Sequence, residues 1–314
     1  MTTLTDDTGF GEYARADTKP AVHYDMPARV YHSDADGPRL SQSLATTCVH
    51  LTPLHAWQTH PLLGAAGYRF TPNTDDGTIM HSLILEPDSD DIEEIDPSTI
   101  RTKDGKIAKS PFATEEGKVI RDQALAAGRI PLLTEVLGAY RYKAKALRQR
   151  LEAHPTRPVV FDGKSEVVIY WTEQTPSGPV RCRCRLDHLT ECDGKMRIID
   201  LKTTDKADRE SAKRQAWQLG YEIQHAAYVR AVEAAFPAFA GRVEMVFAFV
   251  ELEKPWAVAP YVFGGKFARL GEVRWERGRD LWAAALERDE WAGYDGGELD
   301  PPGWSETSEM AVQS

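Results

Sequence analysis

Long apolar runs, cysteines and surplus positive charge are all scarce in this 314-residue sequence, and each shortage excludes something. No apolar stretch approaches the roughly 20 residues of a membrane-spanning helix, so a soluble protein with no membrane partner is expected. The opening MTTLTDDTGFGEYARADTKP has neither the basic start nor the apolar centre of a secretion signal. Four cysteines (Cys48, Cys182, Cys184 and Cys192) in so long a chain do not read as a disulfide framework. Together these points suggest a reducing cytoplasm. The net charge of −10 argues weakly against a nucleic-acid partner, although distribution matters more than the sum. No internal repeat or low-complexity linker divides the chain.

Charge is distributed unevenly. Seven acids and no base lie between Glu86 and Asp96. YRYKAKALRQR, in contrast, places Arg141, Lys143, Lys145, Arg148 and Arg150 on one stretch without an acid. That run, with Tyr140 and Tyr142 interleaved, suits a phosphate backbone and equally suits a solvated helix face.

Residues 1–22 are polar and aperiodic, and an unstructured segment is expected there. RLSQSLATTCVHLTPLHAWQTHP predicts two short helices, with Ser41 or Ser43 as an N-cap and Pro53 starting the second. A helix is expected from about Asp75 to Glu86, stopped by Pro87, with the acidic segment following as a loop. TEEGKVIRDQALAAG and PLLTEVLGAYRYKAKALRQRLEAH read as two amphipathic helices, the first capped by Thr114 and ended by Gly128. Near Val159 the period changes from helical to alternating. SEVVIYWTE, GPVRCRCRLDHL and KMRIIDLKTT predict a three-stranded antiparallel meander. One long helix from about Asp208 to Phe236, two more strands and a final helix over about Lys266 to Trp291 complete the chain before a frayed tail. A helical N-terminal part followed by βββαββα describes one α/β unit rather than independent domains.

The run IIDLKTT, from Ile198 to Thr204, raises a chemical question. Strand side chains alternate, so Ile198, Asp200, Lys202 and Thr204 share one face. Charges on a mostly apolar strand are costly unless each has a partner or an ion. An Asp–Lys ion pair at a sheet edge would satisfy both. In RCRCRLDHL the same alternation puts Arg181, Arg183, Arg185 and Asp187 on one face, with Cys182, Cys184, Leu186 and His188 on the other. The Asp193–Gly194 turn makes the next strand its neighbour, which brings Asp187 towards Asp200 and Lys202, with Glu166 on the preceding strand. Such a set fits a hard divalent cation with oxygen ligands, beside a lysine that orients the attacking water. Cys182, Cys184, His188 and Cys192 nominally form a zinc set, but a CxC on a rigid strand departs from the usual knuckle spacing, so buried structural thiols are expected.

These residues resemble the PD-(D/E)XK nuclease superfamily, with Asp187, Asp200 and Lys202 as acid, acid and lysine. More narrowly, the chain resembles the RecE (exonuclease VIII) family. The landmarks run in one order over roughly residues 28–304: VYHSD and LSQSL, GTIMHSLILEP with His81, EVVIYW with Glu166, CRCRLD with Asp187, IIDLKTT, YEIQHAAYVRA with Gln224 and Tyr228, and DEWAGYDGGELDPPGW. Leu186 stands where the motif's name has proline, a shaping position without chemistry.

The resemblance implies a mixed central sheet flanked by helices, with a helical N-terminal part. It implies a single domain over 23–304, helical over about 39–155 with its core over about 159–291, and a flexible tail at 305–314. It also implies a Mg²⁺-dependent exonuclease (Mn²⁺ substituting) that degrades linear duplex DNA from the 5′ end and leaves 3′ tails for phage-type recombination. Asp187, Asp200, the Leu201 carbonyl and His81 would surround the metal. Glu166 would act through a bound water or second metal, and Lys202 would position the nucleophile. Gln224 and Tyr228 would hold substrate, although a helix packing face also explains that pair. Arg183 and Arg185 are candidate phosphate contacts or neutralise nearby acids. No iron–sulfur cluster is expected, since no cysteine follows Cys192. A homo-oligomeric ring and a single-strand annealing partner are further implications. A different nuclease of the superfamily, or an idle DNA-binding relative, is the alternative.

Overall fold

The computed structural model describes residues 19–24, 26–33, 37–65, 73–88 and 90–299. Expectations for residues 1–18 and for the tail 305–314 lie outside them. In chain order the elements are β1 (Ala21–His23), α1 (Ala28–Ser33), α2 (Gln42–His50), α3 (Pro53–Thr59), α4 (Asp76–Leu85) and β2 (Ile92–Ile95). Then come α5 (Glu115–Ala126), β3 (Ile130–Leu133), α6 (Thr134–Glu152), β4 (Lys164–Thr175), β5 (Gly178–Cys192) and β6 (Lys195–Thr204). The chain ends with α7 (Arg209–Leu219), α8 (Tyr221–Ala235), β7 (Val243–Glu251), β8 (Val258–Tyr261) and α9 (Gly265–Arg288).

The meander read from alternation is present: β4, β5 and β6 pair antiparallel. Between β5 and β6, Asp193 and Gly194 take φ of 53° and 70°, both positive as a tight primed hairpin turn requires. β7 returns parallel to β6, which demands a crossover; α7 and α8 supply it. The sheet order is β1-β4-β5-β6-β7-β8, a mixed sheet. One face packs Cys182, Cys184, Leu186, Ile198, Phe247 and Phe249 against α2, α8 and α9, including the fully buried Trp275 and Trp282. The other face packs Ile199, Leu201, Val246 and Ala248 against Ile79, Leu83 and Ile84 of α4 and Leu147 and Leu151 of α6. Among the described residues no helix is long and apolar enough to cross a membrane.

The caps follow their side chains. Ser41, Thr52, Asp75, Thr114 and Asp208 each accept a backbone N–H at the start of a helix.

Several expectations need correction. Ala21 and Val22, expected in an unstructured leader, pair with Tyr170 and Ile169 of β4. The acidic segment is not all loop: Ile92–Ile95 forms β2, parallel to β3, and β3 takes the PLL expected to open a helix. A small separate core of Ile95, Ile100 and Ala108, with Phe112 and Leu133, supports this pair. The expected long helix is two, α7 and α8, because Gly220 turns left-handed (φ 69°). A Cβ there would lie 2.7 Å from Thr46 of α2, so close helix contact as well as backbone conformation selects glycine.

The alternation read for β5 holds only to Leu186. Leu186 lies in the α8-side core, and so does Leu189, an odd separation. His188 instead pairs with Ile199, bonds Ser165 and faces Phe161 on the α6 side, away from Cys182 and Cys184. The slip is one of facing, not of register: at Glu166, whose φ is 52°, the β4–β5 ladder skips Glu166 and Asp187 and resumes in the same register at Ser165↔His188. No zinc set survives, since His188 and the two thiols occupy opposite faces. Cys182 and Cys184 are buried as expected, and Cys48 is buried too, but Cys192, expected to be buried, is partly exposed.

Candidate active site

The slip at Glu166 and Asp187 opens the sheet. The last β5–β6 pair is His188↔Ile199, and from Asp200 to Thr204 β6 is paired only with β7. The Leu201 N–H, which has lost its strand partner, donates instead to Asp187 Oδ2 at 2.8 Å. A carboxylate thus occupies the gap between two separating strands.

Asp200, fully buried, faces α8. Its Oδ2 lies 2.6 Å from Lys202 Nζ, and Gln224 Nε2 donates to Oδ1 at 2.5 Å. Oδ2 has no aligned hydrogen bond beyond that ionic contact. Lys202 Nζ rests 4.4 Å above the ring of Tyr221, which stacks on Phe247 at 5.7 Å. Gln215 Nε2 donates to the Tyr221 hydroxyl and to the Thr203 carbonyl, tying α7 to the end of β6. On the other side α4 delivers His81, with Nε2 2.8 Å from Asp187 and Nδ1 3.7 Å from Glu166. Arg185 Nε lies 2.5 Å from Glu166. Three carboxylates (Glu166, Asp187, Asp200) therefore meet three cations (His81, Arg185, Lys202).

Burial pushes the Asp200 carboxyl up to about 6 against the pull of Lys202, and the charge of Asp187 adds to the rise. Burial also raises Glu166 to about 7, opposed by Arg185 and His81. Burial works against a charged His81, yet Asp187 and Glu166 overcome it and raise the imidazole to about 9. Asp187 is lowered: burial opposes its ionisation, but His81, Lys202 and the Leu201 N–H prevail. Lys202 is held charged despite burial by Asp200 and Asp187. The charge of Asp187 is felt at Asp200, and both carboxylates act on Lys202.

A cleft of about 660 Å³ opens onto this cluster. His81, Glu166, Arg185, Asp187, Leu201 and Tyr228 line it, together with Tyr31 and His32 of α1, residues 41–43 at the start of α2, and Asp75, Gly77 and Thr78 at the start of α4.

Three expected substrate contacts have other partners. Gln224 is buried against Asp200, where its amide fixes the carboxylate rotamer, so it does not face the cleft. Arg183 lines the cleft, but its Nη1 donates to the Tyr31 carbonyl and its guanidinium lies 4.7 Å over the Tyr31 ring. Arg185 neutralises Glu166. Tyr228 does line the cleft. The support of Lys202 by Tyr221 and Gln215 was not read from sequence; a tyrosine one turn before Gln224 on the same helix was its only signal.

Among the described residues no three His, Cys, Asp or Glu side chains are arranged as a ready metal cage. The ammonium of Lys202 lies against Asp200, and the imidazole of His81 lies against Asp187. The donor set nonetheless fits a hard divalent cation, because it is oxygen-rich and includes the buried, unaligned Asp200 Oδ2.

A family described as "PDDEXK-like domain of unknown function (DUF3799)" matches residues 77–297, more than two thirds of the chain. A solved structure from Eubacterium rectale, described as a "Putative exonuclease", is 12% identical with a TM-score of 0.49, covering 90% of this chain and 98% of its own. The structure of SSO0001 is 13% identical with a TM-score of 0.26, covering 64% of this chain and 85% of its own. No curated protein matches the chain.

Proposed function

The chain belongs to the PDDEXK-like domain family, and from that premise we propose that it is a nuclease that hydrolyses DNA phosphodiesters with a divalent cation. The observation that carries the reading is the meeting of Asp187, Asp200 and Lys202 where β5 leaves β6. Asp187 and Asp200 would hold the cation, with Glu166 beside them and His81 joining once it loses its proton. When bound, a divalent ion supplies Lewis acidity at the scissile phosphate and neutralises the developing charge. The chain's own residues orient the reaction. Lys202, braced by Tyr221, positions the attacking water; Gln224 holds Asp200 in one rotamer; Tyr228 faces the cleft.

The finer reading follows the RecE-like resemblance of the motifs: Mg²⁺ as the resident ion with Mn²⁺ substituting, 5′→3′ digestion of linear duplex, 3′ tails for recombination, a homo-oligomeric ring and an annealing partner. Linear duplex labelled at either end, incubated with and without Mg²⁺ beside closed circular duplex, tests it. Mononucleotide release from the 5′-labelled strand and an intact circle are expected. Cleavage of the circle identifies an endonuclease, and no Mg²⁺-dependent product on any duplex refutes the nuclease reading.

Stability should report the same site. Raised acids such as Asp200 and Glu166 stabilise the fold fully below their ordinary carboxylate range and lose that contribution as pH rises through about 6 and about 7. His81, also raised, loses its contribution as pH rises through about 9. Between pH 6 and 9 these groups make the metal-free protein progressively less stable. A cation binds their deprotonated forms, so the rise in Tm on adding Mg²⁺ should be larger at pH 8.5 than at pH 6. Thermal melts with Mg²⁺ or EDTA decide this; a rise that shrinks with pH contradicts the assignment.

A further inference from the structure

The acidic segment and the basic run of the sequence partly neutralise one another. Arg129 pairs with Glu93 and Arg141 with Glu94 of β2, while Arg148 binds Glu152 and the Ile84 carbonyl. Among the described residues Lys143, Lys145 and Arg150 of α6 and Lys254 have no carboxylate partner. Lys143 lies 5.9 Å over the Tyr140 ring, and Lys254 lies 5.6 Å over the Trp256 ring. Tyr142, 69% exposed, meets Trp256 edge-on at 5.9 Å between centroids, whereas Tyr140, two residues earlier, lies further round α6 with Lys143 between them by helical angle. Beside them Val136, Ala139, Tyr140 and Lys143, spaced as one helix face, line an open recess of about 360 Å³ together with the acidic Glu135. The Tyr140 side adjoins the cleft. The Tyr140 hydroxyl donates to Asp76, in the first turn of α4, whose neighbours Asp75, Gly77 and Thr78 line the cleft mouth.

One exposed ring (Tyr142), two half-buried rings (Tyr140 and Trp256) and ammonium groups without a carboxylate partner offer what a nucleic-acid strand needs, in which bases stack and phosphates follow alongside. Duplex DNA hides its base faces, so stacking selects a single strand; an acidic peptide offers charge but no bases. We infer that Tyr140, Tyr142, Lys143, Trp256 and Lys254 form a track for single-stranded DNA running from the cleft mouth along α6. The track rests on the nuclease reading of the adjoining cleft and adds to it the path of an unpaired strand.

Binding of fluorescein-labelled oligothymidylate by the full chain in EDTA, read by anisotropy, tests the track apart from catalysis. Tyr142→Ala should weaken binding roughly tenfold, and Trp256→Ala by a similar factor. Lys254→Glu should weaken it and flatten the salt dependence. Blunt duplex should bind these aromatic variants as it binds the parent. Because Trp256 also packs against the core, the exposed Tyr142 variant carries the test if Trp256→Ala fails to fold. Unchanged oligothymidylate binding in Tyr142→Ala, an equal loss for blunt duplex, or displacement of the strand by polyglutamate at equal charge overturns the track. Track-dependent binding without hydrolysis would refute the nuclease reading alone, and hydrolysis with binding indifferent to Tyr142 would refute the track alone.

Discussion

Asp200→Asn is expected to lower metal-dependent hydrolysis by at least about 10²–10³-fold, the scale seen when one preorganised electrostatic group is removed from a reacting centre. Asn keeps the volume and still accepts the hydrogen bond from Gln224, so the strand and α8 should stay in place. What is lost is the anion that the cation needs. The variant should not cost stability at pH 8. Burial raises the Asp200 carboxyl to about 6, so the folded site disfavours its ionised form relative to the unfolded chain. Stability from such a group is present below the ordinary Asp range and lost as pH rises through about 6. Above that pH Asn removes a buried anion, and Lys202 keeps the field of Asp187. Metal-free Tm at pH 8 should therefore equal or exceed that of the parent, with a smaller gain at pH 5. Single-turnover digestion of labelled duplex and thermal melts at both pH values test the pair of effects. A variant that cuts at the parental rate would remove Asp200 from the site.

Lys202→Met should be as damaging to catalysis and, unlike Asp200→Asn, damaging to the fold. Met preserves the aliphatic stem over Tyr221 and removes the ammonium, so hydrolysis should fall about 10²–10⁴-fold through loss of water positioning. Asp200 is then left buried with Gln224 as its one aligned donor. Breaking a buried ion pair by deleting one partner costs about 3–5 kcal/mol. The cost should be greatest at pH 8 and shrink as pH falls and Asp200 takes a proton. Mg²⁺ should raise Tm more in this variant than in the parent, because the cation no longer competes with an ammonium 2.6 Å from Oδ2. Chemical denaturation at pH 5.5 and 8, with and without Mg²⁺, provides the measurement. Equal stability of variant and parent at pH 8 would mean that the Asp200–Lys202 contact contributes nothing to the fold.

Much of this site was legible because it is built from local rules. Two-residue spacing put Asp200 and Lys202 on one strand face, and their side chains do meet. A tight Asp-Gly turn made β6 the neighbour of β5. Helical spacing put Gln224 and Tyr228 on the α8 face directed at the sheet, although Gln224 serves Asp200 rather than a substrate. Other features depended on residues far apart. Nothing in VYHSD marks Tyr31 as the acceptor and stacking partner of Arg183. The β2–β3 pair was hidden because IEEI sits in an acidic run and β3 contains a proline, which weaken the strand signal of each.

Alternation and capping are properties of the extended or helical backbone itself, so the sequence by itself determined the meander, most helix starts and the face shared by Asp200 and Lys202. It also determined which residue types were available for chemistry. Tertiary structure alone decided where alternation stops. At Glu166, whose φ is positive, β4 and β5 change facing without a change of register, the Leu201 N–H is left without a strand partner, and the Asp187 carboxylate fills the gap. It also decided that His81, Arg185 and Lys202 close over the three acids, because a buried charge takes whatever opposite charge packing brings within reach.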